Sequence, residues 1–262
     1  MRRVVLVTGA TDGIGRAVAE HLVATGCTVL AHGRDPERLA ALDGVARTYR
    51  ADLSSLDEVA AMAEAILEAE PRIDALVNNA GIGFTIPGGP GRSMTPSGIE
   101  LRFAVNYLSG YALTRRLLGR LRESAPARIV FVSSMGQQAI DFDDVMLERG
   151  YSGARAYCQS KLAQILLAFD LADELAGTGV TATALHPGTY VGTKLVVDEG
   201  ITPLTAMDEA VAAVSRLAVG DDVEGVTGRY FVLQEESEPD PQARDPEARR
   251  RLRELSRALT GV

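Results

Sequence analysis

RVVLVTGATDGIGRAVAEHL, residues 3–22, decides the fold of this chain. A short β-branched run, 3–8, breaks at Thr8-Gly9, and an amphipathic helical stretch follows from about residue 14. Gly9, Gly13 and Gly15 fall where the strand must turn tightly and enter the helix. Without a Cβ at these positions the backbone can approach a pyrophosphate, which the helix N-terminus then stabilises. The Gly-Lys-Ser/Thr ending of a nucleoside-triphosphate loop is missing, so that alternative fails.

Outward from this turn, short apolar runs alternate with longer amphipathic stretches, as in a parallel sheet covered by helices. Strands are expected at 3–8, 27–32, 45–50, 73–78, 128–133, 180–185 and 229–233. Helices are expected at 14–25, 36–42, 56–69, 97–122, 155–176 and 207–218. The expected architecture is an α/β, single-domain Rossmann fold spanning 1–262: a doubly wound seven-stranded parallel sheet flanked by helices. A C-terminal helical extension, 234–262, carries Leu252, Leu255 and Leu259 on one face, for docking onto the domain or for a subunit contact. Residues 83–98 are rich in glycine and proline and read as loop.

Composition narrows the function. A formal net charge of -8 argues against nucleic acid and offers no polybasic patch for a membrane. Cys27 and Cys158 make no disulfide framework, no metal-ligand spacing occurs, and His21, His32 and His186 are too scattered to suggest a site. No apolar run reaches membrane-spanning length, which makes a reducing cytoplasm the default expectation.

The second strand ends in HGRDPERL, where such folds meet the adenosine ribose. Arg34 is positioned to pair with a 2′-phosphate, and no acidic residue occupies 32–34 to accept a ribose hydroxyl. Asp35 competes for that role, but Asp35-Pro36 also reads as an N-cap followed by proline at the first helical position. NADP is therefore expected over NAD. Asp52 suits either adenine or a cap for the helix near Ser55, and Asn78-Asn79-Ala80-Gly81 ends the fourth strand with small residues that permit close approach.

The fifth strand delivers Ser133 and Ser134 at its carboxyl end, the edge that faces the ligand crevice. Tyr157 and Lys161, four residues apart, share one face of the next helix. An ammonium beside a phenol favours phenolate and lowers its pKa from about 10. Pro187-Gly188 fixes a turn near the nicotinamide, where Thr193 could donate to its carboxamide.

TGxxxGxG at 8–15, NNAG at 78–81, VNYLSG around Asn106, VSS at 132–134, YCQSK at 157–161 and HPG at 186–188 together resemble the short-chain dehydrogenase/reductases. The stretch 151–188 resembles most closely the retinol-dehydrogenase-like branch. The resemblance implies a catalytic tetrad. Ser134 would hydrogen-bond the substrate oxygen and Tyr157 would be the general acid/base. Lys161 would bind the nicotinamide ribose and lower the tyrosine pKa, and Asn106 would hold a water in a proton relay. It also implies NADP preference through Arg34 and a dinucleotide lying against Thr8, Gly9, Thr11, Asp12, Gly13, Ile14, Gly15, Asp52, Leu53, Asn79, Ala80, Gly81, Pro187, Gly188 and Thr193. Four residues separate Gly188 from Thr193, one more than the commoner spacing, which weakens the contact expected of Thr193.

The implied reaction is hydride transfer between carbonyl and alcohol on a small molecule. A dinucleotide-binding regulatory protein, an NAD-dependent alcohol dehydrogenase, and a lyase, epimerase or dehydratase on the same fold are the rivals. Substrate would meet 83–98, 135–151 and 189–206, where Phe84, Met135, Phe142, Met146 and Tyr190 are either pocket contacts or ordinary packing. No arginine cluster marks these segments, and Asp141, Asp143 and Asp144 would repel an anion from the rim, so an apolar ketone, aldehyde or alcohol is expected. Leu162, Ile165, Leu166, Phe169 and Leu175 are too many for one buried stripe, which points to a homo-dimer or tetramer unless the excursion before Tyr157 covers them.

Overall fold

A computed structural model describes residues 2–84, 91–192 and 202–262. All seven expected strands form, as β1 (Val4–Val7), β2 (Thr28–Gly33), β3 (Arg47–Arg50), β4 (Ala75–Asn78), β5 (Ala127–Val132), β6 (Val180–His186) and β7 (Arg229–Val232). They pair in parallel in the order β3-β2-β1-β4-β5-β6-β7. An eighth short strand, β8 (Glu235–Ser237), adds antiparallel to β7. Its two-residue turn is Leu233-Gln234, with Leu233 at φ 53°. Such turns are usually announced by Asn-Gly or Asp-Gly, and here that signal is missing.

Side-chain alternation assigns each strand two faces. Leu6, Leu30, Leu76, Ile129 and Phe131 point into one core; Val5, Val7, Val29, Val77, Val130 and Val132 point into the other. Helices α1 (Gly13–Ala24) and α6 (Met207–Val219) cover the second core through Val18, Leu22, Val214 and Leu217. Helices α3 (Leu56–Ala69), α4 (Ser109–Glu123) and α5 (Gly153–Glu174) cover the first. The short α2 (Pro36–Ala40) follows β2.

The helix expected over 97–122 is not uniform. Residues 103–108 form a π-helical segment, Phe103–Leu108, which runs directly into α4. Residues 96–98 instead form a turn closed by Thr95, whose N–H donates to the Ile99 carbonyl (2.8 Å) while its hydroxyl accepts from Ile99 N–H (3.1 Å). Glu100 then caps the helical start by accepting from Phe103 N–H at 2.7 Å.

The C-terminal extension ends in α7 (Pro246–Thr260), capped by Asp245 with Pro246 in the first turn. Ala248 and Leu252 are buried in the first core, and Leu255 and Leu259 pack against it. The Tyr107 hydroxyl meets Ser256 Oγ at 2.7 Å, and Tyr111 donates to the Val262 carbonyl at 2.9 Å. Arg249 and Arg253 pair with Asp173 and Asp170 of α5, although partly exposed pairs of this kind add little. Docking is thus carried by the apolar stripe. Leu162, Ile165, Leu166, Phe169 and Leu175 are all buried within the chain. The surplus apolar surface that suggested a subunit contact is therefore covered internally, by α7 together with neighbouring elements.

Leu252→Ala should lower unfolding free energy by about 2–5 kcal/mol through lost burial and the residual cavity. Urea unfolding compared with the parent chain tests this, and an unchanged midpoint would show that α7 is not docked in solution.

Candidate active site

The ends of β1 and β4 are joined by one hydroxyl. Thr8 Oγ1 accepts from Asn79 N–H (3.0 Å) and Ala80 N–H (3.1 Å), and Asn79 Nδ2 donates to the Thr8 carbonyl (2.9 Å). Gly9 and Gly13 take positive φ, 67° and 52°, which side-chain-bearing residues rarely adopt. A Cβ on Gly15 would lie 2.2 Å from the Gly9 carbonyl oxygen and 2.3 Å from Asn79 Nδ2. One on Gly33 would strike Thr11 at 2.4 Å. Asp12 caps α1, accepting from Gly13 N–H (2.8 Å) and pairing with Arg38 (2.8 Å). The N–H groups of Ile14 and Gly15 have no hydrogen-bond acceptor among the described residues. This bare, glycine-walled helix N-terminus fits a dinucleotide pyrophosphate.

His32 is a contributor that sequence reading passed over. Its buried ring accepts from Gly9 N–H at Nδ1 (3.2 Å) and meets the Ala51 carbonyl at Nε2 (3.2 Å). These partners fix the neutral Nε2–H tautomer and tie the glycine turn to the end of β3. Burial lowers the pKa of His32.

At the adenosine end Arg34 is exposed and makes no salt bridge among the described residues. Asp35 is the N-cap of α2, accepting from Glu37 and Arg38 N–H, with Pro36 in the first turn. Ser55, not Asp52, caps α3. One Asp52 oxygen, Oδ1, accepts from both the N–H (2.9 Å) and the hydroxyl (2.8 Å) of Ser54. Partial burial raises the Asp52 pKa, but these bonds and the charges of Arg34 and Arg50 outweigh it and hold the carboxyl below the usual range. Leu53 is buried in the first core.

At the other end β5 and α5 are laced together. Lys161 Nζ donates to the Val132 carbonyl (2.9 Å), and Ser133 Oγ donates to the Lys161 carbonyl (2.7 Å). Ser134 Oγ accepts from Gly136 N–H (3.0 Å), which leaves its own proton free to donate. The buried Tyr230 hydroxyl donates to the Ser134 carbonyl at 2.9 Å. A Cβ on Gly136 would sit 3.4 Å from Ser134 Oγ and 3.7 Å from Tyr157 Cε1, so these two side chains are close neighbours. Lys161 Nζ lies 5.7 Å from the Tyr157 ring centre. A Cβ on Gly81 would be 3.4 Å from that ammonium and 3.3 Å from Asn106 Oδ1. Ser134, Tyr157, Lys161, Asn106 and Gly81 thus converge.

Electrostatics here depart from expectation. Burial pushes the Tyr157 phenol above the ordinary tyrosine value, and the Ser134 hydroxyl offsets only part of this. The Lys161 ammonium is directed at the Val132 carbonyl rather than the phenol, so the expected lowering is not met. Burial lowers Lys161 itself to about 8. His186, with Nε2 3.1 Å from Thr189 Oγ1, is lowered to about 4 by burial and by the nearby Lys161.

Asn106 lies in the π-helical segment, where both ends of its side-chain amide have partners. Its Oδ1 accepts from Ile82 N–H (2.7 Å), and its Nδ2 donates to the Ile82 carbonyl (3.1 Å) and to Ser160 Oγ (2.9 Å). Pro187 leads into Gly188, at φ 127°, where a Cβ would strike Thr205 at 2.5 Å. Thr193 lies outside the described residues. Phe142 and Met146 are ordinary packing against the first core, whereas Phe84, Met135 and Tyr190 are exposed. Asp141 and Asp143 pair with Arg155 and Arg251, and Asp144 accepts from Glu148 and Arg149 N–H, so all three have structural partners.

A glycine-walled anion cradle opposite a Ser-Tyr-Lys cluster on one sheet edge defines a nicotinamide-dinucleotide oxidoreductase. Residues 3–201 match the family model described as short chain dehydrogenase, and the chain belongs to that family. It is 36% identical to retinol dehydrogenase 14 of Mus musculus over 99% of its own length and 86% of that protein's. Its fold is similar to that of the Pseudomonas aeruginosa RhlG/NADP active-site complex, with a TM-score of 0.70 and 28% identity over 88% of this chain and 94% of that one. It is also similar to Brucella melitensis 3-ketoacyl-(acyl-carrier-protein) reductase complexed with NADH, with a TM-score of 0.69 and 25% identity over 88% and 96%. The chain is accordingly an oxidoreductase that uses a nicotinamide cofactor to interconvert a carbonyl and an alcohol.

Gly15→Ala should weaken dinucleotide binding by at least about tenfold, since the added methyl forces the turn apart. Calorimetric titration with NADPH reads this out; parental affinity would show that the turn can yield. Both histidines sit below their unfolded value of about 6.5, so unfolding takes up protons. Stability should be fully present above that pH and fall as pH drops toward 4. Denaturant midpoints from pH 7 to 5 should show the decline, and His186→Asn should make it shallower.

Proposed function

We propose that this chain is an NADP(H)-dependent oxidoreductase acting on an apolar ketone, aldehyde or secondary alcohol, with Tyr157 as general acid/base. The observation that carries this reading is the meeting of Ser134, Tyr157 and Lys161 at one sheet edge, opposite the glycine turn. When bound, the nicotinamide supplies or takes the hydride. Ser134 donates its free O–H to the substrate oxygen. Tyr157 gives its proton to that oxygen in reduction and takes it back in oxidation. A phenol whose pKa is raised by burial keeps its proton at neutral pH, which suits the acid role. Oxidation, which needs the phenolate, should accelerate as pH rises. Lys161 is the residue assigned to the nicotinamide ribose, near enough to Tyr157 to favour phenolate when its ammonium turns from Val132. We assign Asn106 to holding Ile82 and Ser160 and, through the second lone pair of its Oδ1, a water of the proton relay.

Preference for NADP is supported by an Arg34 that has no salt bridge among the described residues and an Asp35 consumed as a helix cap. A 2′-phosphate would gain a charge-assisted contact at this point, while a ribose hydroxyl would find no free carboxylate from Asp35. An apolar substrate is supported by the surface. Among the described residues the exposed large hydrophobic side chains are Phe84, Met94, Met135, Tyr190 and Leu204. All five lie in 83–98, 135–151 and 189–206, the segments expected to meet substrate.

Tyr157→Phe should abolish turnover of apolar ketones by NADPH while leaving cofactor binding intact. Turnover at the parental rate would remove Tyr157 from the mechanism, and binding without any turnover in the parent would favour a regulatory protein. Arg34→Ala should raise KM for NADPH by about tenfold or more with little change for NADH; equal changes would refute the 2′-phosphate assignment.

A further inference from the structure

Three consecutive residues beyond β4 are held by two side chains one helical turn apart. Asn106 takes both backbone groups of Ile82, as described. Arg102 takes the next two carbonyls: Nε donates to Gly83 (2.9 Å), and a terminal nitrogen donates to Phe84. The Arg102 side chain is wholly buried, as is that of its ion-pair partner Glu100, 3.5 Å away. The remaining guanidinium nitrogen donates to the Tyr151 hydroxyl, which in turn donates to Glu100 Oε1 at 3.1 Å. Gly153, the first residue of α5, leaves room for this cluster: a Cβ there would lie 2.3 Å from the Phe84 carbonyl oxygen and 3.0 Å from Arg102.

The end of this restrained run touches the reacting group. The Phe84 and Tyr157 rings stand edge to face, with centres 4.6 Å apart and planes at 73°. That arrangement is favourable for aromatic quadrupoles and limits rotation of the phenol ring. Buried ion pairs contribute little net stability, but where fully hydrogen-bonded they impose one geometry. All three guanidinium nitrogens have partners here, so the cluster can hold the loop without leaving a buried charge unpaired.

We propose that Arg102 is a positioning residue for the reaction at Tyr157. With Glu100 and Tyr151, it fixes the Gly83 and Phe84 carbonyls so that the Phe84 ring sets the orientation of Tyr157 and shields its phenol from water. The assignment rests on Tyr157 being the acid/base. Besides Phe84, the polar groups about that phenol are Ser134, Cys158, Tyr230 and Lys161, none of which changes in the variants below.

The test is a double-mutant cycle on Phe84→Ala, Arg102→Met and the double variant, with an apolar ketone and its alcohol. Phe84→Ala should lower kcat about tenfold or more, because a small misplacement of a reacting group is costly, and leave the KM for NADPH within about twofold. It should also move the rise of alcohol oxidation to lower pH, since hydrating the phenol relieves the burial that raises its pKa. Arg102→Met should reproduce both changes, as should Arg102→Lys, whose single ammonium cannot hold two carbonyls in a fork. The double variant should be no slower than the slower single one. If Arg102→Met does not fold, Tyr151→Phe replaces it in the same cycle. Parental kcat and pH profile in Phe84→Ala, or losses that multiply in the double variant, would overturn the proposal. Tyr157→Phe separates the levels: parental turnover there would defeat the acid/base assignment itself, whereas a dead Tyr157→Phe beside a silent Phe84→Ala would defeat only the role of Arg102.

Discussion

The site depends on the parallel pairing of β1 with β4. Because β1 lies between β2 and β4, the chain leaves their carboxyl ends toward opposite faces of the sheet, and a crevice opens between the departing segments. The crevice would splay without a tie, and Thr8 supplies one by accepting two N–H groups from the NNAG segment. The glycines then matter for what they exclude. A side chain on Gly15 would fill the space beside the Gly9 carbonyl that a phosphate needs.

The opposite side of the crevice is built from buried polar groups whose partners are mostly backbone. Lys161 donates to the Val132 carbonyl, Tyr230 to that of Ser134, and Asn106 takes both groups of Ile82. Side chains fixed in this way need little reorganisation at the moment of reaction. The same burial tunes them: it lowers the lysine to about 8 and raises the tyrosine, which reverses the order of their proton affinities and widens the gap between them. A phenol and an ammonium side by side in water would differ in neither way.

Much of this was legible in the chain. Strand periodicity located all seven parallel strands, because a strand buried on both faces must be apolar throughout. Asp35-Pro36 read correctly as a cap. Other features were hidden for physical reasons. The β7–β8 turn carries Leu233 at positive φ, where no residue preference announces it. The π-helical segment over Phe103–Leu108 carries Asn106, which bonds to Ile82 beyond β4, and no local pattern encodes such a contact. His32 closes an expected strand and Arg102 falls inside an expected helix, and neither belongs to a local motif. Their partners, Gly9 and Ala51 for one, Gly83, Phe84 and Tyr151 for the other, are remote in sequence.

The sequence by itself determined the seven parallel strands and the glycine turn, because these follow from backbone sterics and hydrophobic period, while the reacting side chains are those that its resemblance to the short-chain dehydrogenase/reductases implies. Tertiary structure alone decided what covers the apolar faces of α4 and α5, namely α7 docked through Leu252, and so withdrew the surface that had suggested a second subunit. It also decided the electrostatic character of Tyr157. Helical spacing places Lys161 near the phenol, but only the packed interior directs that ammonium to Val132 and leaves burial as the dominant influence on the proton.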